Sequence, residues 1–172
     1  MISYQNSKQI LKKGIIKIQN ESIKSVNSLN RVTSTNIYSN INYPSGDNAA
    51  FDGFAINSND TKSIKKLTKQ QFKIIGSIAA GAKLFKKRIQ KFDAVEIMTG
   101  GIIPKGFDTI IPIEQMVFYS SKNKQKYILV NQKINKYNHV RFKGSDYKKN
   151  ELVVKKNTII QSNHILAFKT LG

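Results

Sequence analysis

Two short windows of the chain hold side chains that could carry chemistry. The first, SGDNAAFDGFA at 45–55, supplies two carboxylates, Asp47 and Asp52, among glycines that permit tight turns. The second, VEIMTGG at 95–101, places a hydroxyl at Thr99 directly before two glycines. A carboxylate can orient a reacting group or accept a proton, and a hydroxyl can donate a hydrogen bond to an anionic oxygen. These windows are therefore the first candidates for a site.

Carboxylates are scarce in this chain, which makes their positions informative. The 172 residues include 29 Lys and Arg against 10 Asp and Glu, a formal net charge of +19. By contrast with the acid-bearing windows, residues 61–91 hold ten Lys or Arg and no acid. Most of the acids lie in or near the two windows, where we expect chemistry or structure to concentrate: Asp47, Asp52, Asp93, Glu96, Asp108 and Glu114.

Each candidate also has an ordinary structural interpretation. An Asp beside Gly commonly forms an Asx turn, in which the short carboxylate accepts a hydrogen bond from a nearby backbone amide. A Thr at the end of a strand can satisfy a backbone carbonyl with its hydroxyl. From the residues alone, the Asx turn is the favoured interpretation of the Asp-Gly pair, and the two interpretations of Thr99 stand level.

Composition removes several kinds of site. The absence of cysteine excludes disulfides, thiolate zinc sites, iron–sulfur clusters and a cysteine nucleophile. The two histidines, His139 and His164, stand too far apart for a local metal or base motif, and no metal-binding residue is predicted. No apolar run reaches the roughly 18 to 20 residues of a membrane helix, and the start lacks the pattern of a signal peptide. These features predict a cytoplasmic protein without a membrane partner.

The charge has two interpretations. A net charge of +19 suggests nucleic acid or another anionic partner. Base recognition and bidentate phosphate binding favour Arg, however, and the basic residues include only Arg31, Arg88 and Arg141 beside many lysines. These lysines are spread over predicted strands and loops and form no single helical stripe. Compositional bias is the favoured interpretation, and a nucleic-acid-binding domain is the less favoured one.

Short strands separated by Gly and Pro must position the candidate residues. Residues 94–99 alternate as a strand does and end in a turn at 99–101, and residues 127–132 predict another strand. Pro104, Gly106 and Pro112 divide the apolar stretch between them. The pattern predicts a small all-β module, barrel-like or a curled sheet, over residues 51–135.

Helices are predicted near the two ends of the chain. Apolar spacing predicts an amphipathic helix from about Gln5 to Gln19, interrupted or ended around Gly14. A second helix is predicted in SNHILAFKTLG, with Ser162 as its N-cap and Gly172 just past its end. The fold class is therefore α+β and mostly β.

Three segments, in order and at similar spacing, resemble the N-terminal half of the molybdopterin molybdenumtransferases, the molybdenum-inserting enzymes of molybdenum cofactor synthesis, to which gephyrin is related. The first is similar to the family's Asp-Asn-Ser-Ala-Met-Asp-Gly-Tyr-Ala, with Ala49, Phe51 and Phe54 as replacements. The resemblance extends over essentially the whole chain. Its segments are PSGDNAAFDGFA at 44–55, VEIMTGGIIPKGFDTIIPIEQ at 95–115, and HVRFKGSD with its continuation to ILAFKTLG at 139–172.

The other two segments depart from the family at two positions and at one position, respectively. The second is similar to Ile-Met-Thr-Gly-Ala-Pro followed by Pro-x-Gly-x-Asp, with Gly101 and Ile102 replacing Ala and the first Pro. The third is similar to Arg-x-x-Gly-Glu-Asp, with Ser145 replacing Glu.

The resemblance implies a particular domain organisation. An elongated, discontinuous N-terminal domain of mixed α and β structure would consist of residues 1–50 and 136–172. A small β-barrel-like domain of residues 51–135 would be inserted into it. In the family an α/β domain that binds molybdopterin and a final β domain follow, and both are absent from this chain.

The resemblance also implies the chemistry, which is insertion of molybdate into adenylated molybdopterin by a homodimeric transferase. Asp52 is implied as an orienting carboxylate or proton acceptor, and Thr99 as a hydrogen-bond donor to an anionic oxygen. Mg²⁺ and molybdate are implied, with their main ligands expected in the absent domains. Other residues are implied to bind substrate or form the crevice: Asp47, Asn48, Gly53, Gly100, Glu114, Arg141 and Asp146.

Two alternatives to an enzyme half remain open from the sequence. The same two domains could form a non-catalytic partner module that supplies one wall of a crevice to another polypeptide. The basic nucleic-acid-binding domain is the other alternative, less favoured for the reasons given above.

Overall fold

The computed structural model describes residues 2–14, 18–65, 68–83, 85–120 and 125–172. Over this part of the chain it forms two α-helices and ten short β-strands, with three 3-10 turns between them. No helix within it is long and apolar enough to cross a membrane. The predicted mostly-β fold is therefore confirmed, while the barrel-like form of the inserted domain stays a prediction.

The chain divides into two compact units. The first consists of Met1–Ile37 with Leu152–Thr170, and the second of Tyr38–Glu151 with Leu171–Gly172. Each unit is discontinuous in sequence. The predicted domain boundaries near residues 51 and 135 stay a prediction.

Helix α1, Tyr4–Lys13, begins the first unit. The Ser3 side chain caps it by accepting a hydrogen bond from the Asn6 amide at 3.3 Å, and Gly14 is its C-cap. None of its residues is buried. The helix therefore ends at the predicted glycine. Of the predicted extension to Gln19, residues 15–17 lie outside the described part, and residues 18 and 19 are not helical.

Helix α2, Ser162–Leu171, occupies the predicted position near the end of the chain. The prediction of Ser162 as N-cap was wrong by one residue, since Ser162 is already helical. The imidazole Nδ1 of His164 reaches back to accept a hydrogen bond from the Gln161 amide at 3.1 Å. This hydrogen bond satisfies an amide at the helix start. The sequence pattern predicted Ser162 for this capping role and did not indicate His164.

The second unit is built on a six-stranded mixed sheet. Its spatial order is β6-β3-β5-β4-β8-β7, with β4 and β5 parallel and the other neighbours antiparallel. The strands are β3 Gly53–Ile56, β4 Gln70–Ile78, β5 Asp93–Ile97, β6 Thr109–Pro112, β7 Val117–Ser120 and β8 Lys126–Val130. Strands β5 and β8 lie where the alternating pattern predicted strands.

Apolar side chains of the sheet form two buried clusters. Because neighbouring residues of a strand point to opposite faces, β3 sends Phe54 and Ile56 to one cluster and Ala55 to the other. The first cluster includes Phe72 and Ile128, both fully buried. Phe54 and Ile56 therefore tie β3 to this core.

Two further pairs of short strands complete the fold. Strand β1, Ile37–Tyr38, pairs with β10, Leu152–Val154, and β2, Asn48–Ala49, pairs with β9, Val140–Arg141. Strands β9 and β10 follow each other in sequence, yet each pairs with a distant strand. The β2–β9 pair joins the first and third of the segments singled out in the sequence.

Candidate functional site

Asp52 and Thr99 lie side by side on the surface. The backbone amide and the hydroxyl of Thr99 both donate to Oδ1 of Asp52, each at 2.6 Å. Asp52 precedes β3 and Thr99 follows β5, and these antiparallel strands place Gly53 opposite Ile97. The start of one strand thus meets the end of the other, which brings the two candidate side chains together.

These two hydrogen bonds change the acidity of Asp52. The Thr99 hydroxyl contributes most and the Thr99 amide next, and together they hold the pKa of the Asp52 carboxyl below its usual value. Both donors stabilise the charged form, whereas the slight burial of the group acts in the opposite direction. Asp52 is therefore a carboxylate at neutral pH, able to accept further hydrogen bonds or orient a cationic or protic group.

Main-chain hydrogen bonds hold the two windows against each other. The Ala49 amide donates to the Gly101 carbonyl at 3.0 Å, and the Gly100 amide donates to the Ala49 carbonyl at 2.9 Å. The Asn48 side-chain amide donates to the Gly100 carbonyl at 3.3 Å. Gly100 has φ of +80°, a conformation that glycine adopts without steric cost. The predicted residues Asn48 and Gly100 therefore help to align the windows.

Gly53 lies so close to the backbone of strand β6 that no side chain fits at this position. A Cβ at this position would lie 2.1 Å from the Ile111 carbonyl oxygen of the neighbouring strand β6. Any side chain would force the two strands apart. The glycine directly after Asp52 is thus required by packing.

Neither carboxylate of the first window makes the local Asx turn that its sequence favoured. Oδ1 of Asp47 accepts a hydrogen bond from the Lys143 amide at 2.9 Å, far along the chain, and Asp52 binds Thr99. The Thr99 hydroxyl likewise donates to a carboxylate and not to a backbone carbonyl. The local interpretations of these residues were wrong because tertiary contacts supplied other partners.

Arg141 and Asp146 form an ion pair on the surface. The Ser145 hydroxyl also donates to Asp146 Oδ1 at 3.1 Å, and the Arg141 guanidinium lies over the Tyr43 ring, 5.8 Å from its centroid. Arg141 stands opposite Asn48 in the β2–β9 pair. This register ties the third segment to the first.

Glu114 lies on the exposed 3-10 turn Ile113–Gln115, which follows β6. The turn is linked to the candidate pair through the backbone, because the Ile113 amide donates to the Asp52 carbonyl at 3.0 Å. No side-chain contact of Glu114 with Asp52 or Thr99 is present among the described residues. Glu114 thus follows a residue whose amide binds the Asp52 backbone, and its own side chain takes no part in the hydrogen bonds between Asp52 and Thr99.

The sequence did not single out His139. Its carbonyl accepts a hydrogen bond from the Ala50 amide at 2.9 Å, and its ring meets the Phe51 ring edge-on at a centroid distance of 4.9 Å. Phe51 directly precedes Asp52. The only available signal was that His139, one of two histidines, lies just before the Arg141 motif.

Asp108 is a second carboxylate that the sequence did not assign to a site. Its Oδ1 accepts from the Ser58 amide at 2.7 Å, and its Oδ2 accepts from the Ser58 hydroxyl at 3.0 Å. Asp108 lines an open pocket of about 400 Å³ that also includes Asp47 and Lys136. Neither Asp52 nor Thr99 lines this pocket, so the candidate pair lies on more open surface.

The described residues do not supply a metal centre. Among residues 2–14, 18–65, 68–83, 85–120 and 125–172, no three or more His, Asp or Glu side chains are grouped to hold an ion. Mg²⁺ requires several oxygen ligands, and Asp52 alone does not provide them. The donor set of these described residues therefore does not fit a Mg²⁺ ion held by them alone.

The chain is similar to known proteins over nearly its whole length. The family model for the MoeA N-terminal region, domains I and II, matches residues 2–172. The molybdopterin molybdenumtransferase of Staphylococcus aureus strain Mu50 is 30% identical over 145 residues, covering 84% of this chain and 33% of that protein. The same-named protein of Staphylococcus epidermidis strain RP62A is 26% identical over 171 residues, covering 99% of this chain and 39% of that protein.

A solved structure is also similar. The molybdopterin biosynthesis moeA protein from Pyrococcus horikoshii OT3 superimposes with a TM-score of 0.80 at 26% identity, over 100% of this chain and 44% of that one. The chain thus spans between a third and a half of the length of these relatives. This TM-score shows that the chain and the corresponding part of that protein share a fold.

Proposed function

The chain belongs to the family of the MoeA N-terminal region, and we propose that it acts in molybdenum cofactor biosynthesis as the N-terminal portion of a molybdopterin molybdenumtransferase. The match over residues 2–172 and the names of the curated relatives support this role. The reaction proposed is insertion of molybdate into adenylated molybdopterin. Molybdate and the pterin are its substrates, and the part of the relatives that this chain does not span would supply the pterin-binding surface.

The pairing of Asp52 with Thr99 is the observation that carries the proposed roles. Thr99 donates only to Oδ1 of Asp52, and among the described residues no hydrogen bond to Oδ2 of this exposed carboxylate is present. Asp52 would orient the reacting group or accept its proton through that oxygen. Thr99 would fix the carboxylate and keep it charged, and its hydroxyl oxygen would remain able to accept a hydrogen bond.

The remaining predicted residues would form the edge of the crevice. Asp47, Asn48 and Gly100 hold its backbone, and the Arg141–Asp146 pair would line its rim or contact a second subunit. We propose a homodimer in the cytoplasm on the basis of the family. An open surface pair needs an opposing wall to exclude water, which a second subunit would provide.

Substitution in a full-length relative tests these roles. In the Staphylococcus aureus protein, an Asp→Asn change at the position matching Asp52 should lower the rate of molybdate insertion about 100-fold, because it removes the charge and the proton acceptor. At the position matching Thr99, Thr→Val should lower the rate and Thr→Ser should preserve it, since Ser keeps the hydroxyl. Unaltered turnover in the Asp→Asn protein would remove Asp52 from the catalytic residues.

A non-catalytic partner module is the second candidate, and the open position of the pair favours it. The pocket of about 400 Å³ does not include Asp52 or Thr99, and both residues are exposed. The Asp→Asn protein described above separates the two candidates: a loss of turnover favours a catalytic portion of the transferase, and unaltered turnover favours a non-catalytic wall. Both candidates predict that the 172-residue chain alone does not bind molybdopterin tightly, so tight equilibrium binding would contradict both.

A further inference from the structure

Residues 61–91, named here the basic segment, carry more than half of the net charge. They contribute +10 of the total +19, which leaves +9 for the other 141 residues, 172 minus 31. A compositional bias acting evenly along the chain would give this segment only about a fifth of the charge. Every basic side chain of the segment that the structure describes is exposed: Lys62, Lys65, Lys69, Lys73, Lys83, Lys86, Lys87, Arg88 and Lys91.

The acids that flank the basic segment form no ion pair with it among the described residues. Oδ2 of Asp60 accepts a hydrogen bond from the Phe92 amide at 3.0 Å, and Oδ2 of Asp93 accepts one from the Gln90 amide at 2.7 Å. Asp93 is also buried, with 6% of its surface exposed. Among the described residues, the two ion pairs of the chain both lie outside the segment. Its positive charge is therefore presented to solvent without a carboxylate partner from the described part.

The fold brings part of the basic segment back against strand β4. The Lys73 amide on β4 donates to the Phe92 carbonyl at 2.8 Å, which brings Lys73 close to Lys91. The Lys87 ammonium donates to the Ile75 carbonyl of the same strand at 2.6 Å. The connection after β4 thus turns back against the strand.

Packing fixes this connection in place and puts it near the candidate pair. At the irregularity of β4, a Cβ on Gly76 would lie 2.8 Å from the Phe85 ring, so the glycine leaves room for that ring. At its start, the connection adjoins the turn that carries Thr99, because a Cβ on Gly100 would lie 3.7 Å from that of Ala80. The start of this connection therefore lies beside the turn that carries Thr99.

The chemistry of the segment indicates which partner it fits. No large apolar side chain is exposed within its described residues, so it lacks the anchors that insert into a membrane. Phe72 is fully buried and Phe85 is half-buried, which leaves no exposed aromatic platform for stacking bases. Arg88 is the one Arg, so bidentate contacts to phosphates and bases are few. Separate ammonium groups on flexible stems suit carboxylates dispersed over a protein surface.

We propose that the basic segment is a docking surface for an acidic face of a partner protein, rich in Asp and Glu. The complex would form quickly through long-range attraction and would weaken as salt screens the charges. Because exposed charges are screened within about 8 to 10 Å at physiological salt, the partner must approach the lysines closely to bind. The proposal concerns a surface outside the Asp52–Thr99 pair and does not depend on the reaction.

A charge-reversal variant of the 172-residue chain tests this surface with poly-L-glutamate as the probe. In one variant Lys69, Lys83, Lys86 and Lys91 are changed to Glu. The matched control changes four exposed lysines elsewhere to Glu and alters the net charge equally: Lys24, Lys149, Lys155 and Lys156. Fluorescence anisotropy at about 50 mM and about 200 mM salt gives the dissociation constants.

We expect the segment variant to raise the dissociation constant at least about tenfold and the control less than about threefold at the lower salt, since only the first removes the local cluster. Lys→Gln at the same four segment positions should give an intermediate loss. Circular dichroism and thermal unfolding establish that each variant is folded, and the Gln variant replaces the Glu variant if the latter unfolds. Equal weakening by segment and control variants would overturn the proposal.

Comparison of ligands separates an acidic protein from other anions. Duplex DNA, single-stranded DNA and phosphatidylserine vesicles are titrated at the same salt as poly-L-glutamate. Tighter binding of either DNA, with the same dependence on the four lysines, would assign the segment to nucleic acid and contradict the proposal. Vesicle binding that depends on these lysines and exceeds polyglutamate binding would contradict it as well.

Discussion

Two carboxylates at opposite ends of β3 accept the same kinds of donor but use them differently. Asp52, just before the strand, receives the amide and the hydroxyl of Thr99 on a single oxygen. Asp108 receives the amide and the hydroxyl of Ser58, just after the strand, on separate oxygens. Asp52 is exposed and Asp108 is half-buried. Among the described residues, a similar pair of donors therefore leaves Oδ2 of Asp52 without a hydrogen bond and gives each oxygen of Asp108 one donor.

Asp52 and Asp108 differ in which carboxylate oxygens accept the two hydrogen bonds. When each oxygen of a partly buried carboxylate has its own donor, the group is satisfied and its removal leaves donors unpaired. When both donors share one oxygen at the surface, the carboxylate is oriented while the other oxygen stays open to a ligand. Asp108 is therefore expected to stabilise the fold, and Asp52 to act in recognition or catalysis.

Gly53→Ala should break the comparison most severely, because it disrupts the strand that both carboxylates flank. The new Cβ would meet the Ile111 carbonyl at 2.1 Å, so β3 and β6 must separate. We expect a loss of more than about 3 kcal/mol in the free energy of unfolding, at the upper end of overpacking effects. Urea denaturation followed by circular dichroism measures it. Gly81→Ala is the control for an open site, since nothing lies near its Cβ, although its positive φ adds a small cost. Equal losses for the two variants would contradict the packing argument.

Asp108→Ala should come next in size. It leaves the Ser58 amide and hydroxyl without their charged acceptor in a partly buried setting. We expect a loss of about 2 to 3 kcal/mol in unfolding free energy, within the range for hydrogen bonds to charged groups. Asp52→Ala, measured in the same denaturant series, should lower stability much less because that side chain is exposed. A larger effect at Asp52 than at Asp108 would reverse the assignment of the two groups.

Thr99→Val should have the smallest effect on stability and a clear effect on acidity. The hydroxyl is the main cause of the lowered Asp52 pKa, so removing it should raise that pKa toward its ordinary value, while the backbone amide keeps part of the shift. Titration of the Asp52 carboxyl by NMR measures the change. Ser58→Ala, which removes a hydroxyl from the other carboxylate, should leave the Asp52 titration unchanged. An unchanged midpoint in Thr99→Val would show that the hydroxyl does not stabilise the charge.

The same pair predicts how stability depends on pH. Because the folded pKa of Asp52 lies below its unfolded value, its contribution is fully present above the unfolded value, near pH 4, and is lost as pH falls through the folded pKa. The difference in melting temperature between the wild type and Thr99→Val should therefore shrink as pH is lowered from 7 through that range. A difference that grew on acidification would contradict the sign of the pKa shift.

Local features of the site could be predicted from the sequence. Alternating residues predicted β5, and the glycines after Thr99 predicted the turn, because both depend on neighbours in the chain. The partners of the carboxylates could not be predicted in this way. Whether Asp47 binds a neighbouring amide or the Lys143 amide is decided by the pairing of β2 with β9, which local propensity does not specify.

The approach of Asp52 to Thr99 was expected only through the resemblance to a family. Nothing in the spacing of the two windows states that the start of β3 lies beside the end of β5. That neighbourhood follows from the strand order of the sheet, which is a property of the whole second unit. The same limit applies to the helix cap at Gln161 and His164, since a side chain reaching back was not signalled by Ser162.

The mutual hydrogen bonds of Ala49 with Gly100 and Gly101 have an evolutionary consequence. Every residue supplies a peptide group, so hydrogen bonds between peptide groups can persist when the side chains around them are substituted. By the resemblance of the sequence, Phe51 and Ile102 replace a Met and a Pro of the family pattern, and the backbone hydrogen bonds between the two windows are nevertheless present. Related chains can therefore differ in many side chains of the two windows and keep the same arrangement of the backbone.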